Sequence, residues 1–348
     1  MANIQLLGLN HKTAPIEVRE KASLSGSRID EALDVLKKYE AVQEHVILST
    51  CNRTEIYAAT AGQAQGLASL WDFIARTMGM PQDRLERYFY VLSDTGAVEH
   101  LFRVAASLDS MVIGETQVFG QVKDAYFKAR RSRCVGRTLD AVFEEAIRIG
   151  KRVRAETQIG RGAVSTSTAA IELARKIFTT IEDKKVLIIG AGKIGEETVK
   201  NLFSRGAKTV IVANRTLQKA RELAEQFAGR AIAFDDIERY LCTCDIVISS
   251  AGAPHCLIFR DQVRQVMHTR NHAPLFFIDL GLPRNIEPSV NGLENVYLYN
   301  IDDLANVKDA NIKERLNEAR KAEEMIRRCV ESLCRESESA RAQKAAVQ

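Results

Sequence analysis

The stretch LSTCNRTEIY (residues 48–57) places Cys51 after an apolar, strand-like run, with Arg53 and Glu55 at the next alternate positions. A thiol there can be a small core hydrophobe, a metal ligand or a nucleophile. The polar flank TCNRTE argues against simple burial. As a nucleophile, a thiolate converts an ester into a thioester, which accepts hydride more readily. An unperturbed cysteine titrates at ~8.5, and nearby positive charge lowers that value. Arg53 is the local source of such charge. In a continuing strand Cys51, Arg53 and Glu55 share one face, and Arg53 can alternatively grip a substrate carboxylate bidentately. Spacing alone pairs Cys51 with no base. His100, in VEHLFRVAASLDSM, is the candidate, set against the ordinary reading of a helix-surface or satisfied core histidine.

A hydride donor is suggested by KKVLIIGAGKIGEE, where Gly190, Gly192 and Gly195 form GxGxxG between a strand pattern and a helix pattern. Gly190 permits the tight turn, Gly192 the approach of a pyrophosphate and Gly195 the packing of helix on sheet. Ala191, Lys193 and Ile194 complete the loop and the helix start, whose free N–H groups favour an anion. The next strand ends VIVANRT, with Asn214 where an NAD enzyme carries an acid. Arg215 and Thr216 follow and suit a 2′-phosphate, so the expected cofactor is NADPH. The plainer readings are a glycine-rich turn that binds nothing and a solvated turn arginine.

The cysteines, at 51, 134, 242, 244, 256, 329 and 334, are sparse and odd in number, which fits reduced thiols rather than a disulfide framework. No CxxC pair occurs. CTCD at 242–245, followed by His255 and Cys256, is half a metal site at most. It reads more simply as the lead into a strand, so no metal is expected.

Three zones must position these groups. Residues 1–158 mix strand-length runs (IQLLGLN, HVILST, TEIYAAT) with helical spacing in GSRIDEALDVLKKY, TGAVEHLFRVAASL, GQVKDAYFKARR and GRTLDAVFEEAIRIGKRVRAET. Residues 159–296 alternate continuous apolar runs (KKVLIIG, KTVIVAN, CDIVISSA, PLFFIDL) with helical patterns, as in a parallel sheet buried on both faces. Residues 297–348 are mostly one long helix with an apolar stripe at Ile312, Leu316, Ala319, Ile326, Val330 and Leu333, a candidate for oligomerisation. The fold class is α/β: an N-terminal α+β catalytic domain, a Rossmann-like doubly wound NADP domain and a C-terminal helical segment that dimerises.

The blocks GLNHKTAPIEVREK, LSTCNRTEIYA, HLFRVAASLDSMVIGETQVFGQVKDAY and GAGKIGE…VANRT together resemble the glutamyl-tRNA reductase family, from about residue 4 to about residue 325. The resemblance implies that Cys51 attacks the ester joining glutamate to tRNA, that tRNA leaves, and that NADPH reduces the thioester to glutamate-1-semialdehyde, the first committed intermediate of tetrapyrrole synthesis. It assigns His100 to the active site as a general acid–base and Arg53 to the glutamate side-chain carboxylate. It assigns Thr50, Glu55, Ser110, Glu115, Gln117 and Gln121 to the substrate pocket and brings His11 near it. Ser165 to Ser167 fall where the chain enters the nucleotide domain. For Ser110 the plain alternative is a helix cap, and for Gln117 a solvated face. The family carries a larger helical C-terminal domain that dimerises the protein and helps hold tRNA; here that domain is short. A homodimer and a complex with glutamate-1-semialdehyde aminomutase are implied.

Composition is compatible. Of 348 residues, 46% are hydrophobic and 27% charged, the mix of a globular protein, and a net charge of +4 decides nothing about nucleic acid. No apolar run reaches membrane-spanning length and MANIQLLGLNHKTAP does not read as a signal peptide, so no membrane association and a cytoplasmic location are expected. The most basic segment carries Lys128, Arg130, Arg131, Arg133, Arg137, Arg148, Lys151, Arg152, Arg154 and Arg161 against Asp140, Glu144, Glu145 and Glu156. It is the candidate tRNA surface, with a solvated helix face as the alternative. A shikimate-type dehydrogenase and a non-enzymatic dinucleotide-binding regulator or scaffold are the competing readings, and both leave the Cys51 and His100 blocks unexplained.

Overall fold

A computed structural model of the chain describes residues 3–24, 26–111, 114, 117–159, 166–178, 180–207, 209–305 and 312–346. The chain divides into two units, Met1–Ala163 with Asp309–Gln348, and Val164–Lys308.

The first unit is built on an antiparallel sheet of β1 (Ile4–Asn10), β2 (Val42–Ser49), β3 (Arg53–Thr60) and β4 (Tyr90–Ser93), in the order β2-β3-β1-β4. An antiparallel sheet often leaves one face in water. Here β1 and β3 are buried along their whole lengths. The polar side chains that alternate along β3 therefore point into protein and must find partners there. Helices Asp94–Ala105, Gln117–Arg131 and Arg137–Glu156 match the periodicity of the sequence, and their apolar stripes (Leu101 and Phe102, Val122 and Tyr126, Phe143 and Val153) enter the same core.

The helix Ile312–Ala346 belongs to this unit rather than standing apart as a third segment. Ala322, Ile326 and Val330 are buried in the unit's core, and Ala319 and Leu333 pack on it. The apolar stripe is thus covered by the chain's own helices Asp94–Ala105 and Arg137–Glu156. Leu316 departs from the expected stripe and is 46% exposed.

The second unit is a six-stranded, wholly parallel sheet: β5 (Lys185–Ile189), β6 (Thr209–Ala213), β7 (Arg230–Ile232), β8 (Ile246–Ser249), β9 (Leu275–Asp279) and β10 (Val296–Asn300), in the order β10-β9-β8-β5-β6-β7. Alternate residues of β5 enter opposite cores, Val186 and Ile188 on one face, Leu187 and Ile189 on the other. This explains why its sequence is apolar without a break. The strand order reverses between β5 and β8, which places a crevice at their C-terminal ends. Two strands lie outside the expected four. β7 is only three residues long, and β10 is a half-exposed edge strand that extends the sheet past the expected boundary at residue 296.

Candidate active site

Cys51 lies in the three-residue connection between β2 and β3, not on a strand face. The expected alternation therefore holds for Arg53 and Glu55 but not for the thiol. The turn closes by Thr50 N–H donating to the Arg53 carbonyl at 2.8 Å. The Thr50 hydroxyl oxygen accepts from the amides of Asn52 (3.1 Å) and Arg53 (3.2 Å), a side-chain turn that ends β2 early. Arg19 Nη1 donates to the Cys51 carbonyl at 2.8 Å and the His11 amide to the Asn52 carbonyl at 2.9 Å. The thiol itself is half-buried and in no disulfide.

A small cleft opens beside it, lined by Thr50, Cys51, Asn52, Arg53, Ser110, Gln117, Val118 and Gln121. Sequence positions more than sixty residues apart meet here because Gln117 and Gln121 occupy successive turns at the start of the helix Gln117–Arg131. Ser110 is buried and its hydroxyl has no hydrogen-bond partner among the described residues, so it caps no helix. A buried hydroxyl left unpaired beside a cleft suits a ligand that supplies the missing bond. Glu115 lies outside the described residues. Asn52 and Val118 are lining residues that sequence reasoning missed; adjacency to Cys51 and to Gln117 was the available signal.

Glu55 and His100 do not line the cleft. Glu55 is fully buried and collects four donors: Arg53 Nη1 (2.6 Å), Tyr90 OH (2.6 Å) and His100 Nε2 (2.8 Å) on Oε1, and Tyr57 OH (2.6 Å) on Oε2. Burial pushes the Glu55 carboxyl up, but the charges of Arg53 and His100 and the bonds from His100 and Tyr57 outweigh it and hold it well below the usual range. An ionised carboxylate only accepts, so His100 Nε2 carries a proton and Nδ1 is the nitrogen left to exchange one. Arg53 Nη2 also bonds Asp109, to Oδ2 at 3.0 Å and to its carbonyl, and Lys12 pairs with the other Asp109 oxygen. Burial opposes ionisation of Asp109, while Arg53 and Lys12 hold its carboxyl down. Arg53, expected to reach a substrate, is instead committed inward as a fixed positive charge at the cleft floor. His11 is pushed down to about 4 by burial and then by Arg53 and Lys12, so it is neutral at neutral pH, and its buried Nδ1 has no partner among the described residues.

In the second unit a groove is lined by Gly190, Ala191, Gly192, Asn214, Arg215, Thr216, Lys219, Phe234, Ser250, Ala251, Gly252, Ala253, Pro254, His255 and Leu257. Gly190 has φ +94°, and a Cβ there would come within 2.7 Å of the Ala251 backbone. A Cβ on Gly192 would meet the Ser250 carbonyl at 2.8 Å, so the loop after β8, as well as any bound phosphate, requires glycine. Asn214 Oδ1 accepts from the Thr216 amide at 3.0 Å, which turns the chain after β6. Gly195 packs beneath Ser250 and Ile194 packs on the sheet rather than lining the groove; the Lys193 side chain lies outside the described residues. Lys219 and the stretch 250–255 were missed. Lys219 lies in the first turn of the helix Leu217–Glu225 that follows Arg215, and residues 250–255 follow the strand where the order reverses, a position that the topology rule marks.

Ser167 is buried, and its oxygen accepts a bond from the Thr198 hydroxyl at 3.2 Å, which ties the helices Thr166–Ile177 and Lys193–Phe203 together; Ser165 and Arg161 lie outside the described residues. Cys244 faces the core and burial pushes its thiol up to about 12. Among the described residues no three His, Cys, Asp or Glu side chains converge as metal ligands. Among them also, no helix is long and apolar enough to cross a membrane.

Comparison with known proteins gives a consistent result. The model of the glutamyl-tRNAGlu reductase N-terminal domain matches residues 7–157, and that of shikimate/quinate 5-dehydrogenase matches residues 172–307. The glutamyl-tRNA reductase of Pelotomaculum thermopropionicum is 47% identical over 323 residues, covering 93% of this chain and 73% of that protein. That of Geobacter sulfurreducens is 46% identical over 324 residues, covering 93% and 75%. Among solved structures, the glutamyl-tRNA reductase from Methanopyrus kandleri aligns with TM-score 0.55 and 36% identity, covering 99% of this chain and 82% of that one.

Proposed function

The chain belongs to the glutamyl-tRNA reductase family, and from that premise we propose that it reduces glutamyl-tRNA to glutamate-1-semialdehyde with NADPH, through a thioester on Cys51. This reaction is the first step of tetrapyrrole biosynthesis by the five-carbon route. The observation that carries the reading is the gathering of Thr50, Cys51, Arg53, Ser110, Gln117 and Gln121 in one cleft.

The Cys51 sulfur attacks the ester carbonyl. A C–S bond forms, the C–O bond to the ribose breaks, and the ribose oxygen leaves with a proton. The family resemblance gives that proton to His100, which lies outside the cleft lining and has Nδ1 to carry it because Glu55 occupies Nε2. The Ser110 hydroxyl and the Gln117 and Gln121 amides offer hydrogen bonds to the glutamyl group, while Arg53, already neutralised by Glu55 and Asp109, holds the cleft floor in place. NADPH, when bound, supplies the hydride that reduces the thioester to the aldehyde and returns the thiol. The groove fits the 2′-phosphate form of the cofactor. Its described lining includes the cations Arg215 and Lys219 and no carboxylate.

A homodimer is proposed on the family resemblance alone, because the apolar stripe of the C-terminal helix is already covered within the chain. Transfer of the product to glutamate-1-semialdehyde aminomutase is proposed because an α-amino aldehyde is reactive in water. A dehydrogenase working through the second unit alone leaves the cleft without a use.

The test supplies purified protein with glutamyl-tRNA and NADPH and measures semialdehyde. The wild type is expected to form it and Cys51→Ala to form none. With reductant omitted, mass spectrometry is expected to find glutamate on Cys51. An active Cys51→Ala variant, or a competent enzyme with no adduct, removes the nucleophile.

A further inference from the structure

The basic segment separates, in the structure, into two kinds of cation. Arg148 holds Glu145 through two hydrogen bonds (2.6 and 2.7 Å), Arg152 pairs with Glu156 (2.8 Å), Lys128 with Asp30 (2.6 Å) and Arg130 with Asp140 (3.6 Å). Arg154 folds inward onto Ser107 and the Phe119 ring. These charges are already answered by the protein. Exposed Lys151 is not, and neither are Arg131, Arg133 and Arg137: these three arginines are exposed and have no ion-pair partner among the described residues. They crowd one corner, where the helix Gln117–Arg131 ends and the helix Arg137–Glu156 begins. The corner is drawn tight by the Cys134 amide on the Ala129 carbonyl (2.9 Å) and by the His45 amide on the Cys134 carbonyl (2.8 Å). Lys37, paired with Asp34 at 2.7 Å, stands close enough to Arg133 to feel its charge, and exposed Lys38 follows it.

Two further features mark this corner. Arg133 has φ +57°, a left-handed conformation after a helix end where glycine costs least, yet the position carries a long cation. Phe127 lies one helical turn before Arg130 and Arg131 and is 41% exposed, which puts an aromatic face beside these cations. The helix that ends here starts in the Cys51 cleft with Gln117 and Gln121. Fifteen residues make a rod about 22 Å long. For an RNA whose 3′ ester occupied the cleft, a surface one such rod away is within reach of the duplex that follows its unpaired end.

We propose that Arg131, Arg133 and Arg137 hold the phosphate backbone of the acceptor arm of the tRNA whose ester end occupies the Cys51 cleft. The inference rests on the reading of the substrate as glutamyl-tRNA. It excludes the paired arginines Arg148 and Arg152 from that role.

The test compares the wild type, the triple variant Arg131→Gln/Arg133→Gln/Arg137→Gln and the control Arg148→Gln/Arg152→Gln. Binding of uncharged tRNA is measured directly by fluorescence anisotropy over a range of salt, and KM and kcat for glutamyl-tRNA are measured beside it. Exposed substitutions of this kind leave folding nearly unchanged, which a thermal melt checks. The triple variant is expected to bind at least tenfold more weakly near 0.1 M salt. Its slope of log K against log salt should be shallower by about 2–3, at about 0.9 for each phosphate that the variant no longer neutralises. KM should rise in parallel, with kcat within about twofold. The control should stay near wild type. Unchanged affinity and slope in the triple variant, or equal losses in triple variant and control, overturn the proposal. Because binding is read without turnover, a wild type that binds tRNA but forms no semialdehyde counts against the reductase reading and leaves the corner to be judged by its own slopes.

Discussion

Replacing Glu55 by glutamine keeps the shape of the side chain and removes one buried negative charge. At about 4 Å between charge centres and an effective dielectric of about 20, the attraction of Glu55 for Arg53 is about 4 kcal/mol. Asp109 remains on Arg53 Nη2, and the desolvation cost of Glu55 itself disappears. The expected loss therefore falls at the lower end of the 3–5 kcal/mol typical of a broken buried pair, about 3 kcal/mol. Trp71, the sole tryptophan, is buried in the first unit and reports its unfolding by fluorescence. With a urea m-value of about 1–3 kcal/mol/M, the midpoint should fall by about 1–3 M. The sign with pH follows from the same interactions. Glu55 sits below its ordinary value of 4.5 in the fold, so its contribution is complete above that pH and is lost as pH falls below it. Glu55→Gln should lack that part of the acid limb. Catalysis should suffer too, because His100 then faces a neutral amide oxygen in place of the carboxylate charge that holds its Nε2 proton; a fall in kcat of about 10²–10⁴ is expected. A variant with an unchanged midpoint and kcat within about threefold of wild type would refute the description of Glu55 as the charge that organises Arg53 and His100.

Other predictions address separate features. Arg215→Asp and Lys219→Glu should each raise KM for NADPH about 10- to 100-fold, as for a lost charged hydrogen bond, and change KM for NADH little; equal effects on both cofactors would remove the 2′-phosphate interaction. Ser110→Ala should raise KM for glutamyl-tRNA several-fold while leaving stability unchanged within about 0.5 kcal/mol or slightly improved, since its hydroxyl has no bond to lose in the protein; an unchanged KM would show that the hydroxyl meets no substrate. His45 is buried and is pushed down to about 4, by desolvation above all, with Leu33 O at 3.0 Å from Nε2. Its folded value lies below the ordinary 6.5, so stability is full above 6.5 and falls as pH drops toward 4, by about 3 kcal/mol. Urea midpoints of His45→Gln at pH 7 and pH 4.5 should differ less than those of wild type, and an identical pH dependence would disprove the assignment.

The residues of the site were legible where they line the cleft and obscure where they touch each other. Alternation placed Arg53 and Glu55 on one face of β3, which the structure bears out. It could not say that this face is covered, because the cover comes from Tyr90 and from His100 on a helix some forty-five residues away. Covered and uncovered faces give the same two residues opposite roles. On an open face Glu55 would meet substrate; under a helix it must neutralise Arg53 and orient His100. The same reasoning explains the long C-terminal helix. Its apolar stripe was visible, but a stripe does not name its partner, and Ala322, Ile326 and Val330 found it within their own chain. In the second unit the four continuous apolar strands declared themselves because both faces are buried, while β7 has only three residues and β10, VYLYN, is a half-exposed edge of five. Lys219 belongs to a different kind of omission. Its sequence position was plain, but only the coil of the helix Leu217–Glu225 turns it to the groove beside Arg215. Buried charge is the case where this gap matters most. A carboxylate in water is screened by solvent, whereas one enclosed with an arginine, a histidine and two tyrosines orders the hydrogen bonds of all of them, so a single unseen neighbour decides how the groups behind the cleft are arranged.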